Sequence, residues 1–426
     1  MARTNDHEIS RRSFLGAIGA TPLVSSIATR SRASGTTATR VAVVGAGAIG
    51  GWIALQLVRA GAEVVLIDAW HPGNSYSSSG GEGRALRAIY GPDRIYTEMV
   101  VRSRELWRGL EKATGTSIYS EVGALWMIAG DDTYIREAFP ILDDLDLGID
   151  HLTLHEAGRR YPQIEFAGVD EIYFEPGAGV LLARESCRVV AAEFVNLGGT
   201  YRTAAAAPLP ALDQTLDELR LIDGTSIRAD QFVLACGPWL GSVLPDLLGE
   251  AISPTRQEVY YFGTPPSSTA WQPESLPVWV ELGQKVVYGF PDNLGRGFKF
   301  ADDTRGPIVD PNTLQRTPTA ELVEAARQYL GKRFPALAQA PLIEARVCQY
   351  ENSPDGHLIL DRHPGAPNLW IAGGGSGHGF KLAPAVGELM ARAILEDESI
   401  NPKFSLARLG AIEHNRTQFE SQEDTG

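Results

Sequence analysis

The feature that most constrains this chain is a glycine turn set between a short apolar run and a helix-like stretch. Arg40-Val41-Ala42-Val43-Val44 leads directly into Gly45-Ala46-Gly47-Ala48-Ile49-Gly50. A run of this kind is what a buried parallel strand needs. Trp52–Ala60 then reads as a helix, Gly61 stops it, and Glu63–Ile67 is a second apolar strand ending at Asp68. In such a unit Gly45 permits the tight turn, Gly47 lets the backbone approach a pyrophosphate, and Gly50 lets helix and strand pack closely. The helix N-terminus offers unpaired N–H groups to the anion. Asp68, 18 residues beyond Gly50, is placed to bond an adenosine ribose. The unit predicts a doubly wound α/β domain that binds a dinucleotide, and it does not decide between FAD and NAD.

Composition narrows the partners. The 426 residues leave room for two or three folded units, with the 44% hydrophobic content of an ordinary globular chain. A net charge of −14 argues against a nucleic-acid partner and against a surface that seeks anionic lipid. Cys187, Cys236 and Cys348 form no CxxC pair and no metal-ligand spacing, which excludes a disulfide scaffold and a structural zinc site.

The first 33 residues read as an export signal rather than as part of the fold. Ser10-Arg11-Arg12-Ser13-Phe14-Leu15 opens an apolar, small-residue run to Ala28 that is too short to span a bilayer. Paired arginines point to the twin-arginine export machinery, which carries proteins already folded around a cofactor. The expectation is a periplasmic or secreted protein with no stable membrane insertion after cleavage.

Two further glycine-rich segments favour a flavin. Ser77-Ser78-Ser79-Gly80-Gly81-Glu82-Gly83 precedes Arg84 and Arg87, which a helical reading puts on one face as an anion or flavin clamp. Near the other end, the strand Asn368–Ala372 runs into Gly373-Gly374-Gly375-Ser376-Gly377-His378-Gly379-Phe380-Lys381, and a helix is expected from about Pro384 to Leu395. A second strand-to-helix glycine turn is not needed for NAD. It can bring helix-terminal N–H groups to the pyrimidine end of a flavin ring and stabilise its anionic reduced form.

With these segments in view, residues 40–395 resemble the D-amino-acid oxidase superfamily, and within it the monomeric sarcosine oxidase and N-methyltryptophan oxidase group. Val347-Cys348-Gln349-Tyr350 and Gly375-Ser376-Gly377-His378-Gly379-Phe380-Lys381 are the most specific matches, supported by Glu175-Pro176-Gly177 and Tyr288-Gly289-Phe290-Pro291. The resemblance implies a FAD-binding doubly wound (Rossmann-type) domain interleaved with an α+β substrate domain on a mixed sheet. Residues 40–119, 178–250 and 343–398 would form the FAD domain, 120–177 and 251–342 the substrate domain, and 399–426 a fraying tail.

The implied activity is oxidation of a secondary amine or N-substituted amino acid, with O2 reduced to H2O2. The rivals are a dehydrogenase passing electrons to a quinone or carrier, and a flavoprotein without turnover. Cys348 matches the cysteine that carries FAD through a thioether. Arg87 and Lys381 match the pair that holds the substrate carboxylate, and Arg84 an arginine near the flavin ring. Tyr288 and Tyr350 match cavity aromatics, and Lys299 the lysine that promotes reaction with dioxygen. Gly375, Gly377, His378 and Gly379 belong to the flavin loop, His378 having an equally good reading as a structural hydrogen-bonding residue. Two departures stand out, because Gly80 and Asp303 occupy positions where the family usually has histidine. An Asp303 facing the cavity would favour a cationic amine.

Overall fold

The computed structural model describes residues 38–411, so the export-signal reading lies outside the described residues. The dinucleotide unit folds as its spacing predicts. A six-stranded sheet has the order β18 (Ile359–His363), β19 (Ala366–Gly373), β12 (Gln231–Leu234), β1 (Arg40–Val44), β2 (Glu63–Asp68) and β9 (Thr200–Thr203). All neighbouring pairs are parallel except β18–β19. Residues of β1 alternate between two apolar layers. Val41 and Val43 face the helices Ala48–Arg59, Ala183–Asn196 and Gly379–Glu396. Ala42 and Val44 face the opposite layer, which includes the ribbon β10 (Leu219–Arg220)–β11 (Ser226–Ile227) and Leu240–Leu248.

Two glycines show why no other residue serves in the turn. Gly45 has φ +106, and a Cβ there would lie 2.1 Å from the carbonyl oxygen of Ala235. At Gly50 a Cβ would meet the carbonyl oxygen of Gly45 at 1.9 Å, so the first helix could not dock on its strand.

The second sheet is mixed and eight-stranded, in the order β17 (Leu342–Asn352), β13 (Ser253–Phe262), β16 (Phe298–Asp302), β15 (Val286–Phe290), β14 (Val278–Leu282), β5 (Ala124–Ile128), β7 (Glu171–Glu175) and β6 (Asp150–Leu152). One face carries Leu125, Met127, Trp279, Phe298 and Phe300 and is covered by the helix Ala320–Arg333. That helix buries Ala326, Leu330 and Arg333 while Leu322 stays exposed. Arg333 grips Glu281 of β14 through both carboxylate oxygens, at 2.8 and 2.9 Å. A small sheet, β3 (Gly83–Leu86), β8 (Gly179–Leu182) and β4 (Tyr119–Glu121), completes the strands.

Three local expectations are corrected. Arg84 lies on a strand, β3, and not on a helix; pairing of Gly83–Leu86 with Leu182–Gly179 consumes the backbone groups a helix would use. The last long helix begins at Gly379, not near Pro384, so Pro384 sits inside it. The beginning of the tail does not fray: Phe404 is fully buried, and Arg408 pairs with Asp355 at 2.6 Å.

Candidate active site

The ends of β1, β2, β12 and β19 open on a cavity of about 420 Å³. Gly45, Gly47, Asp68, Ser78, Ser79, Arg84, Tyr350, Gly375, Gly377 and Gly379 line it. Gly50 stays behind the turn as a packing glycine. The helices starting after Gly47 and His378 take no side-chain cap from those residues; Ala48 N–H donates to Ser79 Oγ at 3.1 Å and Gly379 N–H to the Gly375 carbonyl at 2.8 Å, which leaves the other first-turn N–H groups to face an anion. Asp68 accepts from the amides of Ala46 at 2.7 Å and Trp70 at 2.9 Å, which fixes its carboxylate at the cavity edge. Ser78 Oγ is buried with no hydrogen-bond partner. A cavity with two helix N-termini, a fixed carboxylate and an unsatisfied hydroxyl fits a flavin dinucleotide, whose phosphates and hydroxyls supply partners for these groups.

Register in the eight-stranded sheet collects the chemistry on one face. Thr255 pairs with Tyr350 and Gln257 with Cys348; Tyr261 pairs with Lys299, and Lys299 with Phe290. Tyr288 pairs with Ala301 and with Val280, and Val280 with Trp126. Cross-strand partners share a face, as do residues two apart on one strand. Tyr350, Cys348, Lys299, Tyr288 and Trp126, from four different regions of sequence, therefore point to the same side.

Arg84 ties this face to the cavity. Its guanidinium donates to the carbonyls of Ser78 at 2.5 Å and Gly83 at 2.8 Å, with Nη2 3.9 Å from Cys348 Sγ. Lys299 is 1% exposed; its Nζ lies 4.2 Å from the Phe290 ring and 4.8 Å from that of Tyr288, with a 3.4 Å bond to the Gly83 carbonyl. Burial, then the charge of Arg84, pushes the Lys299 ammonium well below its ordinary range.

Arg87, just past β3, and Lys381, in the first turn of the last long helix, converge on Tyr90. The two cationic groups lie 4.8 and 4.9 Å from its ring. Both residues are 4% exposed. Burial, followed by repulsion from Arg87, drives Lys381 well below its usual value. Glu175 and Asp303 offset part of this charge, and two cations held together in this way suit a carboxylate.

Asp303 follows β16 and accepts a 2.6 Å bond from the Tyr350 hydroxyl. Desolvation and the Asp303 charge push that phenol well above its ordinary range, so it remains a donor. At Gly80 no side chain fits, because a Cβ would lie 2.0 Å from the Asn74 carbonyl oxygen. His378 does not line the cavity. Its Nε2 donates to the Gly356 carbonyl at 2.9 Å, which leaves Nδ1 to accept from the Tyr90 hydroxyl at 3.0 Å. Burial holds this imidazole neutral.

Sequence reasoning missed Tyr90, Trp126 and Glu175. Glu175 Oε1 accepts from the Ala88 amide at 2.5 Å and Oε2 from Trp126 Nε1 at 3.2 Å, fixing the chain beside Arg87. Burial raises its carboxyl above the usual range. The sequence signals were the match Glu175-Pro176-Gly177, which came without a role for the acid, and an acid closing the apolar strand Glu171–Glu175.

Residues 40–393 match the family model described as DAO, FAD dependent oxidoreductase. The chain is 32% identical over 362 residues to the monomeric sarcosine oxidase of Bacillus sp. (strain B-0618), covering 83% of this chain and 92% of that one. It is 25% identical to the N-methyl-L-tryptophan oxidase of Yersinia pestis (strain Pestoides F), covering 86% and 98%. The crystal structure of L-proline dehydrogenase from P. horikoshii superposes with a TM-score of 0.76 at 21% identity, covering 88% and 98%, which is likeness of fold.

Proposed function

The chain belongs to the DAO family of FAD-dependent oxidoreductases, and on that footing we propose that it is an oxidase of an N-substituted amino acid or related secondary amine. The observation that carries the reading is the buried pair Arg87 and Lys381 flanking Tyr90 beside the cofactor cavity. In this reading the pair holds the substrate carboxylate, Arg87 by a two-pronged grip. Asp303, with Tyr350 as its donor, receives the amine end and favours its cationic form. Tyr288 and Trp126 supply the walls that exclude water. FAD, when bound, supplies the two-electron acceptor for the C–H bond next to nitrogen. Lys299, desolvated beside Gly83, assists reduction of O2 to H2O2 by offering positive charge where negative charge develops.

The same reading assigns Cys348 as the point of covalent attachment, supported by the Arg84 guanidinium near its sulfur. It assigns residues 40–119, 178–250 and 343–398 to the FAD domain and 120–177 with 251–342 to the substrate domain. Residues 1–33 are assigned as a twin-arginine signal that delivers the enzyme to the periplasm or beyond.

The test is a visible spectrum of the purified protein, followed by acid precipitation. Flavin absorbance retained in the washed pellet, and lost from the pellet in Cys348→Ala, supports covalent attachment. Absorbance released from wild type removes the covalent claim and keeps the cofactor. Anaerobic addition of sarcosine or N-methylated amino acids should bleach the flavin, and air should restore it with one peroxide per turnover. Bleaching without reoxidation by air would move the enzyme to the dehydrogenases.

A further inference from the structure

A second cavity, of about 240 Å³, lies on the far side of β3 from the cofactor cavity, and the two share no lining residue. Its mouth is formed by exposed Arg188, Leu294 and Arg296, and its depth by Gly83, Phe290, Tyr261 and Lys299. Val180, Leu182 and Pro291 add to its apolar wall. Two buried polar atoms along it, Tyr261 Oη and Asn293 Nδ2, have no hydrogen-bond partner. Buried polar groups are nearly always paired, so these two mark a place that a small polar guest visits.

The partition between the cavities is thin. The Gly83 carbonyl accepts from Arg84 Nη1 at 2.8 Å, on the side of the cofactor cavity, and from Lys299 Nζ at 3.4 Å. Lys299 thus stands at the inner end of the second cavity with its ammonium against that partition. A bound dinucleotide would fill the first cavity, and a substrate on Arg87 and Lys381 would occupy the space beside it.

We infer that the second cavity is a separate port through which dioxygen reaches Lys299 and hydrogen peroxide leaves. This rests on the oxidase reading above. Dioxygen is apolar and passes the aliphatic wall without binding. At Lys299 it would take two electrons from the reduced FAD and two protons, one carried by the reduced cofactor and one from solvent. The hydrogen peroxide formed is the polar guest that Tyr261 and Asn293 accommodate on the way out.

The test separates the two half-reactions in the holoenzyme. Leu182→Trp and Asn293→Trp each place a large ring in the cavity from a different wall. The enzyme is reduced anaerobically, by substrate or by dithionite, and mixed with oxygenated buffer while flavin absorbance is followed. Both variants should be reduced by substrate within about two-fold of wild type and reoxidised at least ten-fold more slowly. Should one variant fail to hold flavin, the other carries the same comparison. Reoxidation within two-fold of wild type in a variant that holds flavin would overturn the port and leave the oxidase reading intact. Wild-type enzyme that reacts with O2 no faster than free reduced flavin would overturn both.

Discussion

The Tyr350 hydroxyl donates to Oδ1 of Asp303 across 2.6 Å, joining the cavity-lining part of β17 to the residue that follows β16. In the proposed function this contact receives the amine of the substrate, and Arg87 and Lys381, on which the Asp303 charge also acts, receive its carboxylate. A carboxylate facing two cations suits a zwitterion, whose charges are arranged the opposite way.

Asp303→Asn keeps an acceptor for Tyr350 and removes the charge. KM for a cationic secondary amine should rise about ten-fold, roughly 1.4 kcal/mol. Inhibition by a carboxylate lacking the amine should change little. Unchanged selectivity between cationic and neutral ligands would remove Asp303 from substrate recognition.

Arg87→Ala leaves Lys381 and the substrate carboxylate without a two-pronged partner. The expected loss is on the order of 10²-fold in KM, about 3 kcal/mol for a buried charge-assisted bond. Steady-state kinetics with an amino acid and its decarboxylated amine checks this, because only the amino acid should be affected.

Lys299→Met should slow reoxidation by O2 by roughly 10²-fold with little change in reduction by substrate. The wild-type pH profile carries a sign. Burial and Arg84 depress the ammonium, so the charged form is complete at low pH and is lost as pH rises through that depressed value. Wild-type reoxidation should therefore fall with rising pH earlier than a free lysine would dictate, and the variant should be flat. A stopped-flow pH series decides.

Glu351, next to the second glycine turn, is buried, and its Oε1 has no hydrogen-bond partner. Burial pushes its carboxyl up to about 7 from 4.5, against smaller opposing bonds from Gly374 and Gly375. A raised acid favours the folded state fully below the unfolded value. That contribution is lost as pH climbs toward 7 and stays constant above it. Glu351→Gln should stabilise the apoprotein above pH 7 by up to about 3 kcal/mol, with the gap closing toward pH 4.5. Thermal melts at pH 5 and pH 8 give the comparison, and equal gaps at both would show that Glu351 does not resist ionisation.

What sequence alone determined is local or carried by spacing. The unit Arg40–Asp68 was legible because strand, turn and helix are neighbours in the chain, and because Gly50 is imposed by the nearby Gly45 carbonyl, whereas the Ala235 carbonyl that excludes a side chain at Gly45 arrives only with folding. The terminal Gly373–Lys381 turn was legible for the same reason, although its helix start was misplaced past Lys381. Pro384 is a permitted first-turn residue, and nothing local shows that the helix already begins at Gly379. Arg84 looked helical because two arginines three apart fit that period, whereas β8, about a hundred residues later, pairs with the segment as a strand.

Tertiary structure decided which side chains meet. Cys348, Tyr350, Lys299, Tyr288 and Trp126 share a face only through a register spanning six strands, and a shift of one residue would turn each to the opposite side. Tyr90 and Glu175 became site residues because folding buries them against Arg87 and Trp126, and burial is a property of the whole chain rather than of any window along it.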